Sequence, residues 1–181
     1  DIIEYSQKGG DVFRKIEQLK KPTIAAVNGY AFGGGMEFLL CTDIRIASER
    51  AKLRLPEVTL GVTPGFQGTQ RLPKCVGMNK AKEIVFTGKM LTAEDALKLG
   101  ILNEVVAGEA LMNRVYEMAK QIADNSASAI AMAKAAMTAG ASMDIDVGRN
   151  IELGYMAACF GTPDQQEGFA SFKEKRPAKF R

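Results

Sequence analysis

The chain has 181 residues, of which 46% are hydrophobic and 25% are charged. This length and composition indicate a globular protein with one sizeable core and exclude an array of many domains. The formal net charge of +3 is scattered along the chain and indicates no nucleic-acid partner. No stretch approaches the roughly 18 apolar residues that a membrane helix needs, so no membrane partner is expected.

Residue types that are missing or rare also narrow the chemistry. The chain has no histidine, which excludes Ser-His-Asp and Cys-His nucleophile systems and the usual Cys/His zinc cluster. Cys41, Cys75 and Cys159 are widely spaced and are predicted to be reduced, mostly buried thiols. The N-terminal DIIEYSQKGG has neither the basic start nor the apolar centre of a secretory signal, so a cytoplasmic location is expected. Acid–base chemistry must therefore use carboxylates, lysine, tyrosine or cysteine.

Strands and glycine-rich turns are predicted in the first part of the chain. The run PTIAAV, residues 22–27, follows a charged, helix-like stretch, and its β-branched and small residues predict a strand covered on both faces. A triple glycine at 33–35 then leads into a helix that is predicted over 36–41. The other elements predicted here are strands at 43–47 and 51–55, and a loop at 61–71 that enters a helix near its end.

Helices are predicted to dominate the second part. Apolar residues recur with a helical period at 81–86, 92–99, 109–123 and 127–139, with Thr92 as a candidate N-cap, and a brief strand is predicted at 103–106. The stretch AMAKAAM, residues 131–137, is rich in alanine and methionine. Close helix packing in a core explains this composition, and a subunit interface is the alternative.

The triple glycine precedes a glutamate at the start of the predicted helix. Backbone N–H groups at a helix N-terminus are unpaired, and glycines at 33–35 would let a ligand oxygen approach them directly. The spacing matches neither common nucleotide-binding motif, so a phosphate is a weak candidate. An oxyanion formed during a reaction is the other candidate, and Glu37 favours it because a carboxylate repels phosphate but can transfer protons. A tight turn with Glu37 capping its own helix remains the structural alternative.

A second carboxylate strengthens the catalytic interpretation. Glu57 follows Pro56 at the end of a predicted strand and precedes the glycine-rich loop that contains Pro64 and Gly65. Loop residues at such positions commonly face a pocket. Two glutamates could therefore divide the roles of acid and base, although their spacing in the sequence does not show that they meet.

Three segments resemble one known family, the enoyl-CoA hydratases and isomerases of the crotonase type. They are KPTIAAVNGYAFGGGMEFLLCTDIRIAS, LPEVTLGVTPGFQGTQRL and TGKMLTAEDALKLGILNEVV, and the likeness continues to the C-terminal EGFASFKEKRPAKF. The resemblance implies an α/β fold, with a crotonase-like spiral of ββα units in residues 1–125. It also implies a C-terminal helical region in residues 126–181 that assembles the chain as a homotrimer, or as a hexamer made of two trimers.

The resemblance also implies roles for particular residues. Gly34 would donate a backbone N–H to the thioester oxygen of an acyl-CoA, and Glu37 and Glu57 match the two catalytic glutamates of the hydratases. The implied substrate-binding positions are Gly33, Gly35, Gly65, whose backbone would help to hold the reacting water, and Phe172 and Lys175, which would reach the CoA of a neighbouring subunit. An ordinary exposed lysine is the alternative for Lys175. No metal and no separate cofactor are implied, because coenzyme A is part of the substrate.

Retention of both glutamates favours one branch of the family. An isomerase moves one proton and can use a single carboxylate, whereas a hydratase handles both protons of a water molecule. We therefore predict an enoyl-CoA hydratase, with Glu37 as the base and Glu57 as the acid. The alternatives are an enoyl-CoA isomerase and a catalytically inactive crotonase-like scaffold.

The sequence departs from the family pattern in three places. Phe66 and Gln67 stand where small residues or glycine usually follow the Pro-Gly, and Arg54 and Leu55 replace a common Gly-Gln pair. The chain also begins after the alanine- and glycine-rich segment that would supply the second oxyanion N–H. We expect the sequence to be part of a longer polypeptide, because the strand at 22–27 would otherwise have an unpaired edge.

Overall fold

A computed structural model describes residues 1–180, and the chain forms two compact units. The first comprises Asp1–Glu17 and Thr23–Glu117, and the second comprises Gln18–Pro22 and the chain from Met118 onward. The division after residue 117 falls inside a helix, and the boundary between residues 125 and 126 that the family resemblance implies stays a prediction. Residues 118–125 are therefore grouped with the C-terminal helices.

The first unit contains six strands in two small sheets. Strands β1 (Ile24–Val27), β3 (Ile44–Ser48) and β6 (Glu104–Val106) are parallel, in the order β1-β3-β6. In the second sheet, β4 (Lys52–Arg54) pairs in parallel with β2 (Tyr30–Phe32) and antiparallel with β5 (Leu91–Thr92). Each successive pair, β1-β2 and β3-β4, contributes one strand to each sheet, as in the expected ββα spiral.

Six helices complete or border the first unit. They are α1 (Ile2–Glu17), α2 (Gly34–Leu40), α3 (Gly68–Val76), α4 (Met78–Thr87), α5 (Ala93–Lys98) and the start of α6 (Leu111–Ala123). Short 3₁₀ turns span Glu57–Leu60 and Gly108–Ala110. Thr92 caps α5 as predicted, because its hydroxyl accepts from the Asp95 N–H while the Asp95 carboxylate accepts from the Thr92 N–H.

The core of the first unit lies between these sheets and helices. Alternation along the second sheet points Ala31, Leu53 and Leu91 inward, and all three are buried. Helix side chains complete the same cluster, and the completely buried ones are Met36, Leu72, Ile84 and Ala96. This packing holds the start of α2 and the start of α3 in fixed positions.

Two predictions for this region need correction, and one strand was missed. Strand β2 was not predicted, because three residues between glycines give little periodicity and the strand depends on pairing with the distant β4. Helix α2 begins at Gly34 instead of Met36. Residues 22–27 are not covered on both faces, because three of the four residues of β1 are only half-buried. Within residues 1–180, β1 also pairs along one edge only, with β3.

The second unit is helical. It contains the end of α6, then α7 (Ala127–Gly140), α8 (Ile145–Cys159) and α9 (Pro163–Glu174). Helices α7 and α8 form a hairpin in which Gly140 and Gly148 face each other closely. No helix in residues 1–180 is long and apolar enough to cross a membrane.

Candidate active site

Glu37 lies in the first turn of α2, and its side chain is almost completely buried. The residue is 1% exposed, and its Oε1 accepts hydrogen bonds from the backbone N–H groups of Phe66 at 2.9 Å and Gly68 at 2.7 Å. These donors lie in the loop before α3 and at the first residue of α3. Glu37 therefore binds a loop distant in the sequence, which argues against the alternative that it caps its own helix.

The backbone around Gln67 produces this pair of donors. Gln67 has a φ of 74°, in the left-handed region that non-glycine residues rarely adopt. A left-handed residue in a turn can direct neighbouring N–H groups toward one anion, as in backbone nests. Gly68 allows the close approach, because a Cβ there would lie 2.8 Å from Glu37 Oε1. The loop of residues 66–68 thus binds one carboxylate oxygen through two backbone N–H groups.

Glu57 approaches the glycine turn from another element. It begins the 3₁₀ turn after β4, and its Oε2 is buried without a hydrogen-bond partner among the described residues. A Cβ on Gly33 would lie 3.0 Å from Glu57 Oε1, and Gly33 has a φ of 52°. Glycine at position 33 therefore satisfies both the backbone conformation and the close approach of Glu57. A buried carboxylate oxygen without a partner is costly and is typical of a functional site.

The two carboxylates influence each other electrostatically. Burial raises the pKa of Glu37 above its usual value, the two backbone hydrogen bonds lower it, the charge of Glu57 raises it and the charge of Arg71 lowers it. The balance favours the protonated form of Glu37 relative to an exposed glutamate. A carboxylate of raised pKa is a better proton acceptor near neutral pH.

Phe66 lies in front of the same glycine turn. A Cβ on Gly34 would be 3.5 Å from the Phe66 ring, and that ring contacts the rings of Tyr5 and Phe13 in α1. The neighbouring Gly65 carbonyl accepts a hydrogen bond from the Ser6 hydroxyl. Helix α1 therefore supports the loop that carries Gly65 and Phe66.

The remaining residues that were predicted to bind substrate, or that differ from the family pattern, lie outside this cluster of carboxylates and glycines. The Arg54 Nε donates to the Gly88 carbonyl at 2.5 Å, and Leu55 is completely buried in the core. Phe172 and Lys175 belong to the second unit, where Phe172 is 85% exposed and Lys175 ends α9 with a φ of 53°. The structure thus brings Glu37, Glu57 and the glycine turn together. The roles of Phe172 and Lys175 stay predictions.

Sequence reasoning missed the residues that support Glu37 from behind. Arg71 is 6% exposed and donates to the Phe66 carbonyl, and it also pairs with Glu17 at the end of α1. A basic residue in a helical, polar stretch gives no signal of burial. The Gly9–Gly10 pair was also overlooked, although a Cβ on Gly9 would overlap the Phe66 ring.

Taken together, this geometry places two carboxylates beside one glycine turn, an arrangement that is chemically capable of proton transfer. Among the residues that the structure describes, no group of three or more histidine, cysteine, aspartate or glutamate side chains could hold a metal ion.

Comparisons with known proteins agree with this class. Residues 3–181 match the enoyl-CoA hydratase/isomerase family. A crotonyl-CoA hydratase of Syntrophomonas wolfei is 46% identical over 98% of this chain and 68% of its own length. A short-chain-enoyl-CoA hydratase of Clostridium acetobutylicum is 46% identical over 93% of this chain and 64% of its own length. The crystal structure of an enoyl-CoA hydratase from Bacillus anthracis matches with a TM-score of 0.94 and 39% identity, over 97% of this chain and 68% of that one.

The chain belongs to the enoyl-CoA hydratase/isomerase family. The family and the fold class inferred from the sequence are thereby confirmed. The chain spans about two thirds of the length of these relatives.

Proposed function

We propose that this chain carries the catalytic carboxylates of an enoyl-CoA hydratase, which adds water across the 2,3 double bond of a 2-enoyl-CoA to give a 3-hydroxyacyl-CoA. The observation that carries the proposal is the placement of Glu37 and Glu57 beside one glycine turn, with Glu57 against Gly33 and Glu37 held by the loop of residues 66–68. Relatives that are 46% identical are named hydratases of crotonyl-CoA and of short-chain enoyl-CoA.

The proposed reaction uses each carboxylate once. Glu37 takes a proton from water as the water oxygen bonds to Cβ, and the C=C electrons move toward the thioester oxygen. The backbone N–H of Gly34 donates to that oxygen, and one such donor contributes about 10²–10³ in rate. Glu57 then gives a proton to Cα as the thioester carbonyl reforms. The hydroxyl is on Cβ, the new hydrogen is on Cα, and transfer of a proton from Glu37 to Glu57 through solvent restores the starting state.

Phe66 supports a short acyl chain as the preferred substrate. Its ring lies within van der Waals reach of the space beside Gly34, where the reacting part of an acyl-CoA would bind. Contacts with Tyr5, Phe13 and the Gly9 backbone hold the ring from the other side. An aromatic ring that is held in place from behind leaves little room for a long alkyl chain in front of it.

We propose further that the reaction needs no metal and no cofactor beyond the coenzyme A of the substrate, and that the protein acts in the cytoplasm.

For assembly we propose a homotrimer or a hexamer of two trimers. Exposed apolar side chains on and before α8 support this, since Ile145 is 82% exposed and Met143 and Met156 are each 56% exposed. Phe172 and Lys175 are proposed to contact the CoA of a neighbouring subunit.

The function is tested by following crotonyl-CoA hydration through the loss of absorbance of the conjugated thioester. Glu37→Gln and Glu57→Gln should each lower kcat by about 10²–10⁴, because each removes one positioned acid or base. A parent protein as inactive as both variants would support an inactive scaffold. An isomerase can use a single carboxylate. It would be indicated if Glu57→Gln converted a 3-enoyl-CoA to a 2-enoyl-CoA while the parent did not hydrate crotonyl-CoA.

A further inference from the structure

A partly buried ion pair lies behind the loop that holds Glu37. The Arg71 guanidinium donates from Nε to Glu17 Oε1 and from Nη2 to Glu17 Oε2, both at 3.2 Å. The Arg71 side chain is 7% exposed and that of Glu17 is 36% exposed. Two parallel hydrogen bonds fix the relative orientation of a guanidinium and a carboxylate. The pair therefore joins the end of α1 rigidly to α3.

The same guanidinium also contacts the loop of residues 66–68 that binds Glu37. Arg71 Nη1 donates to the Phe66 carbonyl at 3.0 Å. That carbonyl belongs to the Phe66–Gln67 peptide, which lies between the two peptides whose N–H groups bind Glu37. Arg71 thus holds the central peptide of the loop, while Glu37 holds the flanking ones. Rotation of the central peptide would turn at least one N–H away from Glu37.

The energetics favour a role beyond stability. A buried ion pair is often no more stabilising than apolar residues of similar volume, because desolvation offsets the attraction. The Gln67 backbone is left-handed, and such a conformation persists only when its surroundings hold it in place. A directional donor at the Phe66 carbonyl supplies that restraint, which an apolar side chain could not.

We propose that Glu17 and Arg71 are positioning residues for the reaction: through the Phe66–Gln67 peptide they hold the loop of residues 66–68 in the conformation that orients the Glu37 carboxylate. This inference rests on the proposed function of Glu37 as the base. The charged groups that act on Glu37 are Glu57, which raises its pKa, and Arg71, which lowers it. Neither positioning residue needs to touch the substrate.

The kinetic test uses Glu17→Gln and Arg71→Lys in the purified protein, because both keep a polar side chain of similar length. The matched controls are Glu104→Gln and Arg114→Lys, which alter another partly buried Arg–Glu pair with a 2.8 Å hydrogen bond. We expect Glu17→Gln and Arg71→Lys to lower kcat about 10- to 100-fold with little change in KM, since small misplacements of a catalytic group have effects of this size. The controls should change kcat less than about twofold, even where Tm falls equally.

A second readout does not require turnover. The carboxyl ¹³C shift of Glu37, assigned by its absence in Glu37→Gln, is followed against pH in the parent and in folded Arg71→Met. The midpoint should rise in Arg71→Met, because the Phe66 and Gly68 N–H groups that lower the pKa would turn away from Glu37, and the positive charge of Arg71 is also lost. Unchanged kcat in Glu17→Gln and Arg71→Lys, or an equal fall in the controls, would overturn the proposal. If the parent lacks hydratase activity, the function fails, and the titration alone decides whether the pair acts on Glu37.

Discussion

Glu37 Oε1 lies 2.7 Å from the backbone nitrogen of Gly68, a residue 31 positions away in the sequence. This hydrogen bond and the equivalent one from Phe66 attach the first turn of α2 to the start of α3. The buried carboxylate is thereby oriented by backbone donors, whose positions depend on the loop and not on flexible side chains. Several measurable consequences follow from this arrangement.

Glu37→Gln should raise the free energy of unfolding at neutral pH by about 1 kcal/mol, because a neutral amide avoids the desolvation of a buried carboxylate charge. Burial raises the pKa of Glu37 above 4.5, and Glu57 raises it further. The folded chain therefore binds this proton more tightly than the unfolded chain. The resulting stability is present below the unfolded pKa and is lost as the pH rises through the folded pKa.

Urea unfolding at about pH 4 and about pH 8 checks this prediction. The difference between Glu37→Gln and the parent should be small at the acidic pH and larger at the alkaline pH. Glu94→Gln is the control, because the Glu94 side chain is 73% exposed. Equal differences at both pH values would show that ionisation of Glu37 is not the cause.

Gly68→Ala should lower hydratase kcat about 100-fold, since its Cβ would displace the Glu37 carboxylate. The distance from that Cβ to Glu37 Oε1 would be 2.8 Å. Gly154→Ala in α8 is the matched control, because a Cβ there meets no atom within 4 Å. The control should keep full activity and gain about 0.5–1 kcal/mol of stability from helix propensity. Full activity in Gly68→Ala would mean that Glu37 does not need its present position.

Gln67→Val should lower the free energy of unfolding by about 1–2 kcal/mol, because a β-branched residue fits poorly at a φ of 74°. Gln67→Gly should be tolerated, since relief of backbone strain offsets the greater freedom of the unfolded chain. Denaturant titration measures both variants. Gln70→Val in α3 provides the comparison and should cost less than about 0.7 kcal/mol. A comparable loss at both positions would remove the argument for strain at residue 67.

Phe66→Ala should increase the preference for longer substrates. Removal of the ring opens the space beside Gly34, so the ratio of kcat/KM for octenoyl-CoA to that for crotonyl-CoA should rise about tenfold or more. The two substrates are compared in the same absorbance assay. Phe86→Ala is the control, because Phe86 is 71% exposed on α4. An unchanged ratio would show that another residue limits the length of the acyl chain.

Much of the fold follows from patterns that are local in the sequence. The helical periods and caps correctly predicted α5, α6 and α7 to within two residues at either end, because these helices depend on neighbouring residues. The segments around the triple glycine and Pro56-Glu57 led to the family, which the comparisons confirm. Strand β2 escaped prediction because its hydrogen bonds come from β4, about twenty residues later.

The sequence by itself determined the residue types that can act here: with no histidine available, Glu37 and Glu57 are candidates for proton transfer. Only the tertiary structure decided that these two carboxylates meet at one glycine turn, and that a buried Arg71 pairs with the half-buried Glu17 behind the loop that holds Glu37. The physical reason is that a raised pKa and an oriented carboxylate arise from burial and from donors distant in the sequence. Neither the burial of a charged side chain nor its hydrogen bonds to distant residues can be read from a local pattern in the sequence.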